Sequence, residues 1–567
     1  MKLNIKSLTL MGVALLSFSC ADLDLNPLSE GSSENWFNNE EEVNMSLNDL
    51  YRSYLWHQDD DSWTDDWTSR EALTPITNGT INSEWSTSKS LWTNSYKGIT
   101  RANTILSNMG NAAEVIPEVK LNQYTAEARF VRAVMYSILL SHYGDVILYT
   151  EVPGLEESFT TVRTEQATVL EQVYQDFDFA IEHLPESYGA GELRRATRGA
   201  AMAFKSRIAL YMEDWNIARD AAKACMDLGI YQLHDDYGEY FRPEIKNSNE
   251  TIFSLPRSVE LGSQLGSSYP VQATITRNSG GWSAYNPSWD LLFSYLCSDG
   301  LPVDESPLFD PRNPFENRDP RLKETIVPFQ TEHLGYMYQP HPDSIEVYDF
   351  KNARYIKNND SRTNTQFASY NGLVWRKGVT QDWSDDLNTD PDIILMRYAE
   401  VLLTYAEASI ELNQIDQTVL DAMNQVRARA YGVDMANILE YPSLSGSDQS
   451  YLRKIVRTER RMEFAWEGLR YMDIIRWGIA EKVLNNDIYG MLDPNELREK
   501  VVQPGLWFFP ETPEIDEDGI PMLAPVFNKG LIKLLADRTF DANKQYLWPI
   551  PAEEVITNEN LTQNPNY

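Results

Sequence analysis

Over several stretches of this chain, apolar residues return every three to four positions, the spacing of helices with one buried face. The pattern predicts helices over 120–143, 165–184, 198–212, 215–228, 393–412, 417–430 and 452–480. Two adjacent pairs, 198–212 with 215–228 and 393–412 with 417–430, read as helix–turn–helix units. In the first, Ala209, Leu210 and Tyr211 precede the turn and Ala218, Ala221 and Ala222 follow it. Small residues let the partner helix approach closely, as in a tetratricopeptide unit. Between 234 and 390 the period disappears, and Pro, Gly, Asn and aromatic residues take over. Loops longer than about 15 residues are usually functional or disordered, and the aromatic content argues against disorder. A second, irregular lobe packed on the helices is expected, joined by residues 484–545.

One stretch is denser in information than any other: Arg457-Thr-Glu-Arg-Arg-Met-Glu-Phe-Ala-Trp-Glu-Gly-Leu-Arg-Tyr-Met-Asp-Ile-Ile-Arg-Trp477. Met462, Ala465, Trp466, Leu469, Met472 and Ile475 mark a buried helix face. Opposite charges step by three, from Arg460 to Glu463, Glu467 to Arg470, Arg470 to Asp473 and Asp473 to Arg476. Exposed pairs of this kind are worth only about 0.2–0.5 kcal/mol each. So many beside large aromatics suggest packed ion pairs.

The wording of this stretch resembles the SusD/RagB family of glycan-binding lipoproteins on the outer membrane of gut-type bacteria. Glu127-Ala-Arg-Phe-Val-Arg-Ala133 with His142-Tyr-Gly-Asp-Val146 resembles the family's first helix and its exit turn. Ile393-Ile-Leu-Met-Arg-Tyr-Ala-Glu-Val-Leu-Leu403 with Ala406-Glu-Ala408 resembles its central helix. Trp548-Pro-Ile-Pro551 and Gln563-Asn-Pro-Asn-Tyr567 resemble its ending. The resemblance runs from near residue 20 to the last residue. It implies a mainly α fold, with about four degenerate tetratricopeptide-like repeats forming a curved scaffold beside the loop-rich lobe. It also implies a SusC-like TonB-dependent transporter as partner, with this chain as the lid over its mouth.

The N-terminus points the same way. Lys2 and Lys6 precede an apolar run over 8–18 that ends at Cys20. The run suits a signal peptide and is shorter than the roughly 20 residues of a membrane span. Residues 1–19 read as a lipoprotein signal peptide and Cys20 as the acylated (palmitate-type) residue, although Ser17 replaces the usual leucine. Residues 20–35 form the lipidated tether, 36–233 the N-terminal helical region, 234–390 the loop-rich lobe and 391–567 the C-terminal helical region. Acyl chains at about 0.8 kcal/mol per buried methylene anchor such a chain to the outer-membrane lipid, exposed at the cell surface.

Charge and cysteine narrow the classes. With 49 basic and 84 acidic residues, a formal −35, the chain lacks the Lys/Arg excess that phosphate recognition needs. No nucleic acid is expected as partner. Cys225 and Cys297 read as buried small hydrophobes, with a disulfide between them left open.

Trp and Tyr offer flat faces to sugar rings, and Asp, Asn and Arg offer hydrogen bonds to hydroxyls. Trp56, Trp63, Trp67 and Trp85 are interleaved with Asp59, Asp60, Asp61, Asp65, Asp66, Arg70 and Asn78. The family's sugar-facing residues include a Trp with nearby Arg, Asp and Asn, so the resemblance implies Trp67, Arg70, Asn78 and Trp85. In Ser279-Gly-Gly-Trp-Ser-Ala-Tyr-Asn-Pro-Ser-Trp289, two glycines make a turn that presents Trp282, with Tyr285 beside it. Trp289 reads as the start of a packed helix. Trp375 and Trp383 are weaker candidates; Trp92, Trp215, Trp466 and Trp477 read as core. Asp59–Asp66 offers oxygens of the kind Ca²⁺ takes without EF-hand spacing. A solvated acidic loop is expected, no cofactor is called for, and a structural Ca²⁺ stays open.

Enzyme signatures are absent: no His-Glu-x-x-His, Gly-x-Ser-x-Gly, phosphate loop or Cys-x-x-Cys, and six histidines scattered without metal spacing. A glycosidase needs only two carboxylates about 5–10 Å apart, so that class stays open. Capture of oligosaccharides or polysaccharides for the transporter is the leading reading. Capture of peptides by the same kind of lid competes with it, as does a scaffold that binds only proteins.

Overall fold

Helices form where an apolar stripe finds a partner, and the computed structural model describes them within residues 36–70, 72–189, 194–266 and 270–567. The signal peptide over 1–19, Cys20 and the tether lie outside the described residues. Helix α1 (Glu40–Asp49) begins on Asn39, whose side chain accepts the Glu42 N–H. Helices α2 (Ser86–Ala112) and α3 (Glu118–Tyr143) follow. α2 buries Leu91, Trp92, Ile99, Ile105 and Met109 along one stripe. Gly98 lets α3 approach: a Cβ there would stand 2.8 Å from Met135 Cγ. α3 is enclosed by α2 on one side and α4 (Gln166–His183) on the other. It ends at Gly144, where φ of +71° suits glycine.

Helices α5 (Arg198–Tyr211) and α6 (Trp215–Asp227) pack as a pair, and α7 (Tyr398–Glu411) lies against α6. α6 presents Ala218, Ala221, Ala222 and Cys225, a small-residue face that permits this approach. α7 packs in turn on α8 (Gln417–Ala430) and α9 (Gln449–Glu463). Asp416 and Asp448 cap α8 and α9 by accepting N–H groups of the first turn.

Two predicted helices differ from what forms. Ile393–Arg397 is a strand, antiparallel to Thr251–Leu255, and α7 begins only at Tyr398. A short apolar run reads equally as strand or helix; here a partner strand settles it. The expected helix over 452–480 divides into α9, α10 (Arg470–Arg476) and a short turn at Ala480–Leu484. The chain turns at Trp466, φ +60°, and Gly468, φ +72°. Of the four charge steps, only Asp473–Arg476 pairs within the helix, at 2.8 Å. Arg460 meets Asp473 at 2.9 Å, from α9 to α10, and the others reach across the fold. Glu463 meets Arg397 at 2.6 Å and Arg321 at 2.9 Å, and also Arg429. All are buried, so these are packed pairs, and removing one partner of such a pair costs about 3–5 kcal/mol.

The region over 234–390 is not featureless. It contains a four-stranded antiparallel sheet of Thr331–His333, Tyr336–Tyr338, Glu346–Asp349 and Arg354–Lys357, in that order. Its buried residues, with others from 489–532, form a second core that includes Trp289, Phe293, Trp375 and Phe509. The end of α9 stands between the cores: Met462 and Ala465 belong to the second, Phe464 to the first. Cys225 and Cys297 are both buried and unpaired. Among the described residues, no helix is long and apolar enough to cross a membrane.

Candidate functional site

Two distant aromatic segments are joined by one short ladder. Strand β1 (Trp67–Ser69) pairs antiparallel with β2 (Tyr285–Pro287), Ser69 opposite Tyr285 and Trp67 opposite Pro287. Side chains two residues apart on a strand share a face, which puts Trp67 diagonal to Tyr285. Their ring centroids are 4.6 Å apart. Trp67 also lies 6.3 Å from Trp375, and Trp375 stacks on Trp466 at 4.7 Å with 19° between planes. The result is a ladder of four rings. Trp375 is fully buried and backs the ladder.

Trp67, only 9% exposed, Tyr285 and Trp466 are among the residues lining an open cleft of about 440 Å³, with Asp60, Asp61, Ser62 and Ser69 among its polar residues. Trp466 is half-buried and faces the cleft because the chain turns left-handed there. That turn is held from behind. Buried Lys377 donates to the carbonyls of Ala465 (2.8 Å) and Glu463 (3.2 Å) and to the Glu467 carboxylate. Burial pushes Lys377 down to about 8. Burial opposes the charge on Glu467, but Arg397 and Lys377 hold it below its usual value. Gly468 completes the turn against the Asp59 carbonyl, where a Cβ would stand 2.3 Å from the oxygen.

Apart from exposed Asp60, the acidic loop is not solvated, contrary to expectation. Asp61, Asp65 and Asp66 are buried. Arg461 meets Asp65 at 2.7 Å and Asp66 at 2.6 Å, and Arg470 meets Asp65 at 2.9 Å. These guanidiniums clamp the loop to α9 and α10, so the carboxylates of Asp65 and Asp66 are committed to arginine. Asp61 accepts the Gly468 N–H at 3.2 Å. Burial, with Asp66 and Asp60 nearby, raises its carboxyl well above the usual range.

The remaining sequence candidates stand elsewhere. Arg70 donates to the Trp282 carbonyl (2.8 Å) and lies 5.1 Å from the Phe367 ring centroid, binding two loops together. Asn78 accepts from the Thr80 N–H (3.0 Å) and hydroxyl (2.6 Å) in a turn. Trp85 packs on Trp548 at 4.8 Å and Trp63 at 5.8 Å, at the start of α2. Trp282 is half-buried, and neighbouring Gly281 packs tightly on the Ile275 backbone, which restrains the glycine turn. Among the described lining residues, the cleft contains Trp67 and Tyr285 but none of these four. Trp375 and Trp383 are buried behind it. Sequence reading placed Trp466 in the core; only the turn signalled by Gly468 hints otherwise.

A second arrangement borders the cleft. Asp59 Oδ1 lies 2.7 Å from His57 Nε2 and 3.0 Å from His142 Nε2. Three potential metal-ligating atoms therefore converge within 4.8 Å of one another. Nothing in the spacing of these residues signals that they meet.

Comparison with known proteins converges on one family. A model described as the SusD family matches residues 249–567. A second, described as starch-binding associating with outer membrane, matches 26–210. SusD-like protein P25 of Formosa agariphila is 27% identical over 408 residues, spanning 71% of this chain and 73% of that protein. A crystal structure of a SusD-like carbohydrate binding protein from Bacteroides fragilis superimposes with a TM-score of 0.75 and 30% identity, covering 93% of this chain and 99% of that one. A laminarin binding SusD-like protein shares the fold, with a TM-score of 0.63 and 20% identity over 94% and 100% of the two chains.

Proposed function

We propose, from the premise that this chain belongs to the SusD family, that it captures glycan in the cleft between Trp67, Tyr285 and Trp466. The observation that carries the reading is the ring ladder. It brings Trp67, Tyr285 and Trp466 together in the lining of an open cleft, with acidic and hydroxyl side chains beside them. Rings give a sugar an apolar platform and the polar groups meet its hydroxyls; each ring contact is worth about 0.5–1.5 kcal/mol beyond area burial, on the scale of aromatic pairs. Binding rather than catalysis is the role.

In this reading Cys20 is acylated after removal of residues 1–19, and the chain stands on the outer leaflet. The helix pairs α5–α6 and α7–α8 act as degenerate tetratricopeptide-like units of a curved scaffold, and the region over 234–390 acts as a second lobe. The scaffold docks a SusC-like TonB-dependent barrel. Tethering raises the effective concentration of captured oligosaccharide at the pore.

The test is native affinity electrophoresis of the full chain against a panel of plant and host polysaccharides, with reducing ends assayed in parallel. Retardation by one polysaccharide without new reducing ends supports capture. New reducing ends would make the chain a glycosidase. No retardation across the panel would refute glycan capture and favour peptide.

A further inference from the structure

We propose that His57, Asp59 and His142 form a divalent transition-metal site of the zinc class, with a fourth position open to water. The ligand atoms are Nε2 of each histidine and Oδ1 of Asp59, at 2.7 and 3.0 Å across the two His–Asp contacts. Zinc takes nitrogen and oxygen at about 2.0–2.2 Å, which sets tetrahedral ligands roughly 3.3–3.5 Å apart. The two His–Asp separations must open by roughly 0.3–0.8 Å to take the ion, and the ligand atoms of the two histidines already lie within 4.8 Å of each other. The His57 side chain, 19% exposed, has room to make that adjustment.

The second observation is the orientation of His142. Its Nδ1 lies 2.8 Å from the Ile138 carbonyl oxygen, an acceptor, so Nδ1 carries a hydrogen. That leaves Nε2 as the atom turned toward Asp59, the position from which it can hold either a proton shared with the carboxylate or a metal ion. A backbone carbonyl on the far nitrogen is also the outer-shell partner that orients metal-bound histidine. The rings are fixed by packing: His57 lies nearly parallel to Trp63, and His142 sits edge-on to Trp548 at 4.6 Å.

The surroundings favour a cation. Asp60 and Asp61 follow in the chain, and the neighbouring Arg207 is already paired with Glu400 through two hydrogen bonds. A mainly apolar cavity of about 90 Å³ adjoins Asp59 and His142. That exceeds the roughly 10–15 Å³ needed for a water, so the open coordination position has space. Two imidazoles with one carboxylate select zinc, cobalt or nickel over calcium, which prefers oxygen ligands.

The test uses tag-free full chain stripped with chelator, dialysed against Zn²⁺ at pH 7.5 and assayed by elemental analysis, with Co²⁺ absorption as a second readout. One zinc per chain is expected, together with the visible bands of tetrahedral cobalt. His57→Gln, Asp59→Asn and His142→Gln should each weaken binding at least about tenfold, since even outer-shell losses cost 10–100-fold. His57→Gln lies at the most exposed of the three positions and keeps the test valid should the buried variants misfold. Substoichiometric zinc, or one zinc per chain whose affinity His57→Gln leaves unchanged, would overturn the site. The readout needs no glycan, so its failure is distinct from failure of the capture reading.

Discussion

Replacing Asp65 with asparagine tests whether the arginine clamp builds the floor of the cleft. The Asp65 carboxylate accepts from Arg461 at 2.7 Å and from Arg470 at 2.9 and 3.0 Å. After Asp65→Asn, Arg461 retains Asp66 at 2.6 and 2.8 Å. Arg470 pairs with no other carboxylate among the described residues and keeps a buried charge without compensation. The asparagine amide also brings N–H donors toward guanidinium donors. Breaking a buried pair on one side costs about 3–5 kcal/mol, and that loss is expected at pH 7. Burial disfavours the charge on Asp65, but Arg461 and Arg470 hold it well below the usual carboxylate range. Its contribution is therefore complete above the unfolded value near 3.9 and is lost as pH falls toward the folded value. Urea denaturation followed by far-UV circular dichroism should show a constant gap between wild type and variant from about pH 5 to 8. Below about pH 4 the gap should narrow by roughly 1.4 kcal/mol per pH unit. A gap under about 1 kcal/mol at pH 7, well short of that range, or one that persists unchanged to pH 3, would refute the clamp.

Two further outcomes follow from particular contacts. Gly468→Ala should lose about 1–3 kcal/mol from the left-handed backbone alone, and more from its collision with the Asp59 carbonyl. Denaturation measures that loss, and glycan retention should fall with it because the same turn carries Trp466. Asp360 is buried, and desolvation pushes its carboxyl up to about 6. The wild type should therefore lose stability as pH rises from about 4 to 6, whereas Asp360→Asn should not. The variant should be the more stable protein at pH 8, by up to about 3 kcal/mol, and show no advantage at pH 4.

The helices were legible because their signal is local. The stripes of Val169, Val173 and Phe177 and of Ala218, Ala222 and Cys225 can be read without knowing the partner, whereas α1 and α2 were not among the helices predicted. What escaped depended on partners far along the chain. Ile393–Arg397 became a strand because Thr251–Leu255 pairs with it. The charges over 457–477 suggested packed pairs, and they are packed, but onto Asp65, Arg321, Arg397 and Arg429 rather than along one helix. The aromatic segments around Trp67 and Tyr285 were visible separately; only the β1–β2 ladder shows that they meet. Trp466 was hidden by a helical period that breaks at Gly468. His57 and His142 come from a loop and a helix end whose meeting no spacing rule anticipates.

Calorimetric titration of the retained oligosaccharide against wild type, Tyr285→Ala, Trp67→Ala and Trp85→Ala tests the central claim most directly. Loss of one cleft ring should weaken affinity about tenfold, the equivalent of 1.4 kcal/mol. Trp85→Ala, which disturbs only the Trp63–Trp548 cluster, should bind as wild type once folded. Unchanged affinity in Tyr285→Ala and Trp67→Ala, with binding lost in folded Trp85→Ala, would contradict the cleft as the capture site.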